Sequence, residues 1–226
     1  MTRAAMIARL AVACAVGACL AGCAIPAFLA AQWGPEEKIA AKFEPPAGKT
    51  VLVLVEDLAK PINYEPVKAQ LTEMLNRQLV DHKVAARTIP FTRIGELATR
   101  SPDAYNNLSV SELGARLGAD IVLYVNIEDF GLRDPAASDE LWKGRLETSV
   151  RLVDVTEGRL WPKDRPAGHR VDKAETPTIT DSSPSRAEQV SQELARITAD
   201  RIAKLFYDHS QPYEGAYGDD PRRMTH

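Results

Sequence analysis

The sequence predicts an α/β fold: a mixed sheet flanked by helices, with buried N-terminal strands followed by antiparallel strands and a long C-terminal helix. Three stretches predict it. Thr50–Val55, "TVLVLV", is an unbroken run of β-branched residues and leucine, the pattern of a strand covered on both faces. "LWKGRLETSVRLVDV" alternates instead. There Trp142, Leu146, Val150 and Leu152 share one parity, and Lys143, Arg145, Glu147 and Arg151 the other, which gives one packed face and one wet face. "SRAEQVSQELARITADRIAKLF" sets Val190, Leu194, Ile197, Ile202, Leu205 and Phe206 on a broad helical face.

The remaining elements follow in order. "EPPAG" breaks any helix ahead of the first core strand, and Glu56-Asp57 stops that strand. "YEPVKAQLTEMLNRQLVDHK" carries Val67, Leu71, Met74, Leu75 and Leu79 at helical spacing. "VAARTIP" reads as a short strand, "FTRIGELATR" as a short helix, and "SVSELGARLG" as a helix opened by a serine and closed by Gly118. "ADIVLYVNIEDF" begins as a buried run and passes into alternation. If Val155–Gly158 form a turn, Trp161 returns opposite Leu152. A further short strand is expected in "GHRVDKAE", and Ser185 with Glu188, beside Pro184, has the spacing of a capping box. The expected organisation is a leader at 1–22, a connecting arm at 23–48, one α/β domain at 49–209 and a disordered tail at 210–226.

The leader rests on its own pattern. Arg3 and Arg9 give a positive start, and Leu10–Leu20 is apolar and uncharged, too short for the roughly 20 residues that span a bilayer. It ends Leu20-Ala21-Gly22-Cys23, which resembles the lipobox of bacterial lipoproteins. That resemblance implies diacylglycerol on Cys23, cleavage before it, and a further acyl chain (palmitate in kind) on the new amino terminus. Cys14 and Cys19 would leave with the leader, so the mature chain would keep Cys23 alone and form no internal disulfide. Two or more acyl chains anchor stably, where one binds only reversibly. Ala24, where an aspartate would favour inner-membrane retention, points to the outer membrane and its periplasmic side. Phe28, Leu29 and Trp33 in the arm suit a membrane interface, or packing on the domain or on a partner. Loss of Arg3 and Arg9 takes the net charge from −3 to −5, which offers no electrostatic footprint for nucleic acid.

The sequence offers no catalytic, cofactor or metal site. His82, His169, His209 and His226 form no H-x-x-x-H pair. No G-x-S-x-G occurs, and the loop "EDLAKPINYEP" after the first strand lacks the glycines of a phosphate-binding loop. Gly114 and Gly118 suit close helix packing and a cap. The acidic pairs Glu56-Asp57 and Glu128-Asp129 fall at or near strand ends, where α/β folds place sites, and Asp219-Asp220 lies in the tail. Carboxylates do acid–base work only where a cleft perturbs them, and solvated strand ends are the plainer reading.

"LGARLGADIVLYVNIEDF" followed by "GRLETSVRLVDVTEGRLWP" resembles envelope lipoproteins related to the curli secretion channel lipoprotein and the penicillin-binding-protein activators. Their fold is shared with the N-terminal domain of the Tol-system propeller protein. The matching residues are Leu117–Asp120, Arg151–Val155, Gly158 and Trp161, and the similarity spans roughly 50–207. It implies a non-enzymatic, membrane-anchored adaptor or assembly factor for envelope proteins, without cofactor. Its expected contact surfaces are Phe28, Leu29 and Trp33; Lys143, Arg145 and Arg151; and Tyr213 and Tyr217 in the tail. Two alternatives stay open: a subunit of an oligomeric secretion channel, and a small-molecule-binding or hydrolytic domain using the acidic strand ends. "GLRDPAASDE" and "PKDRPAGHRVDKAETPTITDS" are polar loops, unlike the alternating strands of a membrane barrel.

Overall fold

The computed structural model describes residues 36–58, 60–62, 64–134, 141–180, 183 and 185–212. In chain order the elements are β1 (Glu36–Ile39), β2 (Thr50–Glu56), α1 (Pro66–Asp81), β3 (Arg87–Thr88), α2 (Phe91–Arg100), α3 (Pro102–Asn107), α4 (Val110–Leu117) and β4 (Ile121–Arg133). There follow β5 (Leu141–Asp154), β6 (Gly158–Trp161), β7 (His169–Arg170), β8 (Ala174–Glu175), β9 (Ile179–Thr180), α5 (Arg186–Ala203) and β10 (His209–Pro212). The chain divides into two units, one spanning 40–208 and one drawn from the two flanking ends.

In the end unit, β1 pairs antiparallel with β10, from Glu36 opposite Pro212 to Ile39 opposite His209. The tail was expected to lack structure from 210 onward. Ser210, Gln211 and Pro212 instead continue a strand, because main-chain pairing needs no apolar pattern in the side chains.

In the larger unit the sheet runs β3-β2-β4-β5-β6, with β7, β8 and β9 also paired to β5. β2 is parallel to β3 and β4, whereas β5 is antiparallel to β4 and to everything beyond it. The mixed sheet of the sequence reading is thus present, flanked by helices.

Two apolar layers form on β2 and β4 because neither strand alternates. Val51, Val53 and Val55 join Ile121, Leu123, Val125 and Ile127 beneath α1 and α5. Leu71, Leu75 and Leu79 of α1 and Leu194, Ala199 and Ile202 of α5 are all 0–1 % exposed there. Burying each of the larger aliphatic side chains stabilises the fold by about 1.5–3 kcal/mol. The Ser191 hydroxyl donates to Gln70 Oε1 at 2.6 Å, tying α5 to α1. On the opposite face Leu52, Leu54, Val122 and Tyr124 pack under Ile94 of α2 and Leu113 of α4. That second layer reaches β5 only at its end, where Val153 packs against it, so along the rest of the strand one face is buried and the other lies outside the helical layer.

Local caps divide into one expectation met and one corrected. The Ser109 hydroxyl accepts from the Glu112 N–H while Glu112 accepts from the Ser109 N–H, a complete capping box, and Gly118 closes α4 at φ 83°. At α5 no such box forms. Ser185 is itself helical, without a side-chain cap, and its hydroxyl lies 2.9 Å from that of Ser183. The matching spacing fails there because a residue already in the helical region cannot turn its side chain onto the N3 amide.

Candidate functional site

Of the motif residues, Asp120, Asp154, Gly158 and Trp161 hold the scaffold. The Thr50 N–H donates to Asp120 Oδ2 at 2.7 Å, and the Asp120 N–H donates back to the Thr50 carbonyl, which fixes the parallel start of β2 and β4. Asp154 Oδ1 accepts from the Thr156 N–H, the Thr156 hydroxyl and the Glu157 N–H, and these bonds, the Thr156 hydroxyl foremost, hold its carboxyl below the usual carboxylate range. Gly158 takes φ 84° in the same turn, and Trp161 returns opposite Leu152. Gly114 lets α4 lie on the sheet, since a Cβ there would collide with Val122 and come within 2.9 Å of Val155.

The wet face of β4 and β5 is a ladder of charge. On this side of the sheet, up to Asn126, β4 places Tyr124, still buried, and the half-buried Asn126, paired with Arg151 and Ser149. The register then shifts at Glu128, a β-bulge, so that Asp129 and Gly131 take the outward positions opposite Glu147 and Arg145. Phe130 turns inward with Leu146. Asp129 receives Lys60 Nζ at 2.8 Å and Arg145 Nε at 2.7 Å. These two bonds, Lys60 foremost, bring its carboxyl down to about 2. Arg170 reaches Glu147 at 2.6 Å and Glu128 at 3.8 Å, and Lys173 bridges Glu175 and Glu147. Arg145 and Lys143, both expected contact residues, lie here on one strand. Arg145 is held above Gly131, whose missing Cβ makes room for the guanidinium.

Arg151 stands apart from them, at the other end of the ladder. Its guanidinium lies over the Tyr124 ring, 4.0 Å from the centroid. The Tyr124 hydroxyl donates to Glu56 Oε2 at 2.9 Å, and burial together with this carboxylate raises the phenol well above its ordinary value. Around these groups lies a trough of two neighbouring sections, about 330 and 350 Å³. Leu58, Tyr124 and Arg151 line both sections. Tyr105, Leu108 and Leu113 wall the first, and Asn126, Glu128 and Ser149 the second.

The three acids of the hydrolytic alternative do not converge. Asp57 accepts the Ile62 N–H and pairs with Lys68 at 2.8 Å, which tightens the loop after β2. Glu56 is engaged by Tyr124, and Glu128 faces Arg170 at the far end of the trough. Of the three, Asp57 lines neither section. The histidines are scattered as well. His82 stacks on Tyr207 at 3.9 Å, and His169 leans on Trp161 at 4.9 Å, its imidazole pushed below its usual value by burial, Lys42 and Arg165. Among the described residues no group of three or more His, Cys, Asp or Glu could hold a metal ion, and no helix is long and apolar enough to cross a membrane.

Residues 162–180, expected as a polar loop with one short strand, are stitched along β5 as three two-residue strands. Buried Val171 and Ala174 hold them there, aided by Thr176 Oγ1, which accepts from the Gly144 N–H at 2.8 Å. Cys23, Phe28, Leu29, Trp33, Tyr213, Tyr217 and the Asp219-Asp220 pair lie outside the described residues. Tyr124, Tyr105 and Leu58 escaped the sequence reading. Tyr124 is hidden inside an apolar run, and only the pairing of β2 with β4 places it beside Glu56.

No family model matches the chain, and no curated protein matches its sequence. Solved structures resemble it at low identity. Lipoprotein GNA1162 from Neisseria meningitidis is 17% identical with a TM-score of 0.39, the likeness covering 69% of this chain and 99% of that one. The PelC dodecamer from Paraburkholderia phytofirmans is 13% identical with a TM-score of 0.36, over 76% of this chain and 94% of that one. The LpoB C-terminal domain from Salmonella enterica is 14% identical with a TM-score of 0.33, over 61% and 86%.

Proposed function

We propose that this chain is a lipid-anchored protein of the bacterial outer membrane, facing the periplasm, that acts as a non-enzymatic adaptor or assembly factor for other envelope proteins. One observation carries the reading: Leu20-Ala21-Gly22-Cys23 stands directly behind a charged start and an apolar core. Acylation of Cys23 turns a search through the periplasm into a local one and raises the effective concentration near membrane-bound partners. The engagement of Glu56, Asp57 and Glu128 by three separate partners supports a role in recognition over one in hydrolysis.

The test uses the full-length protein extracted from membranes. Intact mass should show a species that begins at Cys23 and carries acyl chains, and crosslinking should recover envelope proteins that a Cys23→Ala protein fails to recover. A species beginning at Met1, an unacylated Cys23, or equal recovery by Cys23→Ala would overturn the proposal.

A further inference from the structure

We infer that the trough beyond the carboxyl end of β2, alongside the middle of β4, binds an extended polypeptide segment of a partner, one that presents an apolar side chain next to a carboxylate, with the carboxylate on Arg151. This goes beyond the anchoring proposal and stands without it.

Topology puts the trough where open α/β sheets accept ligands. From β2 the chain leaves through α1 to β3 on one face of the sheet and returns through α2, α3 and α4 to β4 on the other. The connections part at the β2–β4 pair, which opens a crevice beyond the carboxyl end of β2, along the stretch of β4 that runs on past it. Glu56 ends β2 there, and Arg151 reaches in from β5.

The chemistry of the walls sets the ligand. Leu54, Leu108 and Leu113 form an apolar floor, and Leu58 projects over both sections with 74 % of its surface exposed, the most of any large apolar side chain described. A leucine so placed, at the mouth of a cavity, suits contact with an incoming apolar group. Arg151 has no carboxylate within ion-pair distance among the described residues; its contact is the Tyr124 ring, which leaves its fork of N–H donors for an anion. The start of α4 does not compete for that anion, because Glu112 already fills it. Glu56 behind Tyr124 and Glu128 at the far end repel a carboxylate from any other place in the trough, and so fix the polarity of the bound segment. The trough opens to solvent in both sections, more widely in the second, whereas a small-molecule site encloses most of its ligand. An extended chain, which gains contact residue by residue, matches an open trough better than a compact molecule does.

The test measures fluorescence anisotropy of a fluorescein-labelled Gly-Ser-Leu-Phe-Asp-Ser-Gly peptide against the full-length protein in detergent. Saturable binding is expected. It should weaken about tenfold or more with Arg151→Gln or with the Asp-to-Asn peptide, and about threefold or more with Leu58→Ser. Leu58 is exposed, so Leu58→Ser keeps the fold, which circular dichroism checks for both variants. Cys23→Ala should retain the affinity, which separates a failure of the trough from a failure of the anchor. N-acetyl-phenylalanine should compete far more weakly than the unlabelled peptide. Absence of saturable binding, an unchanged affinity in folded Arg151→Gln, loss in Cys23→Ala, or equal competition by N-acetyl-phenylalanine would each overturn the inference.

Discussion

Strand β4 passes through two environments. From Ile121 to Val125 it is 0–3 % exposed and covered by helices on both faces. From Asp129 to Arg133 one face packs Phe130 and Leu132, and the other lies in a charge network with Lys60 and Arg145. Burial at the first end is nondirectional and is not screened by salt. Charge pairing at the second end is directional, screened and sensitive to pH. The chain therefore fixes its fold in one half of a single strand and leaves a polar, adjustable surface on the other. The bulge at Glu128 is the joint between them, because one extra residue reverses which parity faces water.

The largest effect that tests this contrast is Leu123→Ala. Leu123 is 0 % exposed between α1, α5 and the sheet, so its truncation should cost about 2–5 kcal/mol in urea denaturation. A cost below 1 kcal/mol would mean that the inner half is not the stabilising one. A sharper comparison uses one substitution at two glycines. Gly114→Ala forces a Cβ against Val122 and Val155 in the packed layer, and should destabilise by about 1–3 kcal/mol less the ~1 kcal/mol gained in helix propensity. Gly131→Ala meets only the guanidinium of Arg145, at 2.6–2.9 Å, and that flexible group can swing aside. It should cost less than Gly114→Ala and show its effect mainly as a loss of the Arg145–Asp129 pair, visible as reduced salt sensitivity. Equal costs at the two sites would remove the distinction.

How much of this was legible in the sequence depends on whether a feature is local. The double burial of β2 and the single burial of β5 are written in the order of side chains along each strand, and the placement of Trp161 opposite Leu152 followed from counting across a turn. The serine cap of α4 and its close at Gly118 were legible for the same reason, though the reciprocal bond from Glu112 was not read. Ser185 shared the spacing of Ser109 and still made no cap, since spacing does not set the backbone angles of the first residue. The β1–β10 pair joins segments some 170 positions apart through main-chain bonds, and no side-chain pattern announces it. The helix Pro102–Asn107 is too short to show a period. The trough was legible only in part. Arg151 stood out on the wet parity of β5, but Tyr105, Leu58 and Tyr124 meet it only through the order of strands in the sheet.

The smallest predicted effect lies in the outer half and concerns pH. Asp129 is held at about 2 when folded, below its ordinary 3.8, by Lys60 and Arg145. A carboxylate with a depressed folded value contributes stability that is fully present above the unfolded value and is lost as pH falls toward the folded one. Wild type should therefore exceed Asp129→Asn by about 1–2 kcal/mol at pH 7, a figure reduced for the solvent that reaches the pair. That gap should hold down to roughly pH 5 and shrink by about half near pH 3, as the unfolded chain takes up a proton that the folded chain refuses. Urea denaturation of both proteins at pH 7, 5 and 3 measures it. A gap that stays level to pH 3, or widens, would show that Asp129 holds the outer half through shape and hydrogen bonding and not through charge. The contrast between the two halves of β4 would then be one of exposure alone.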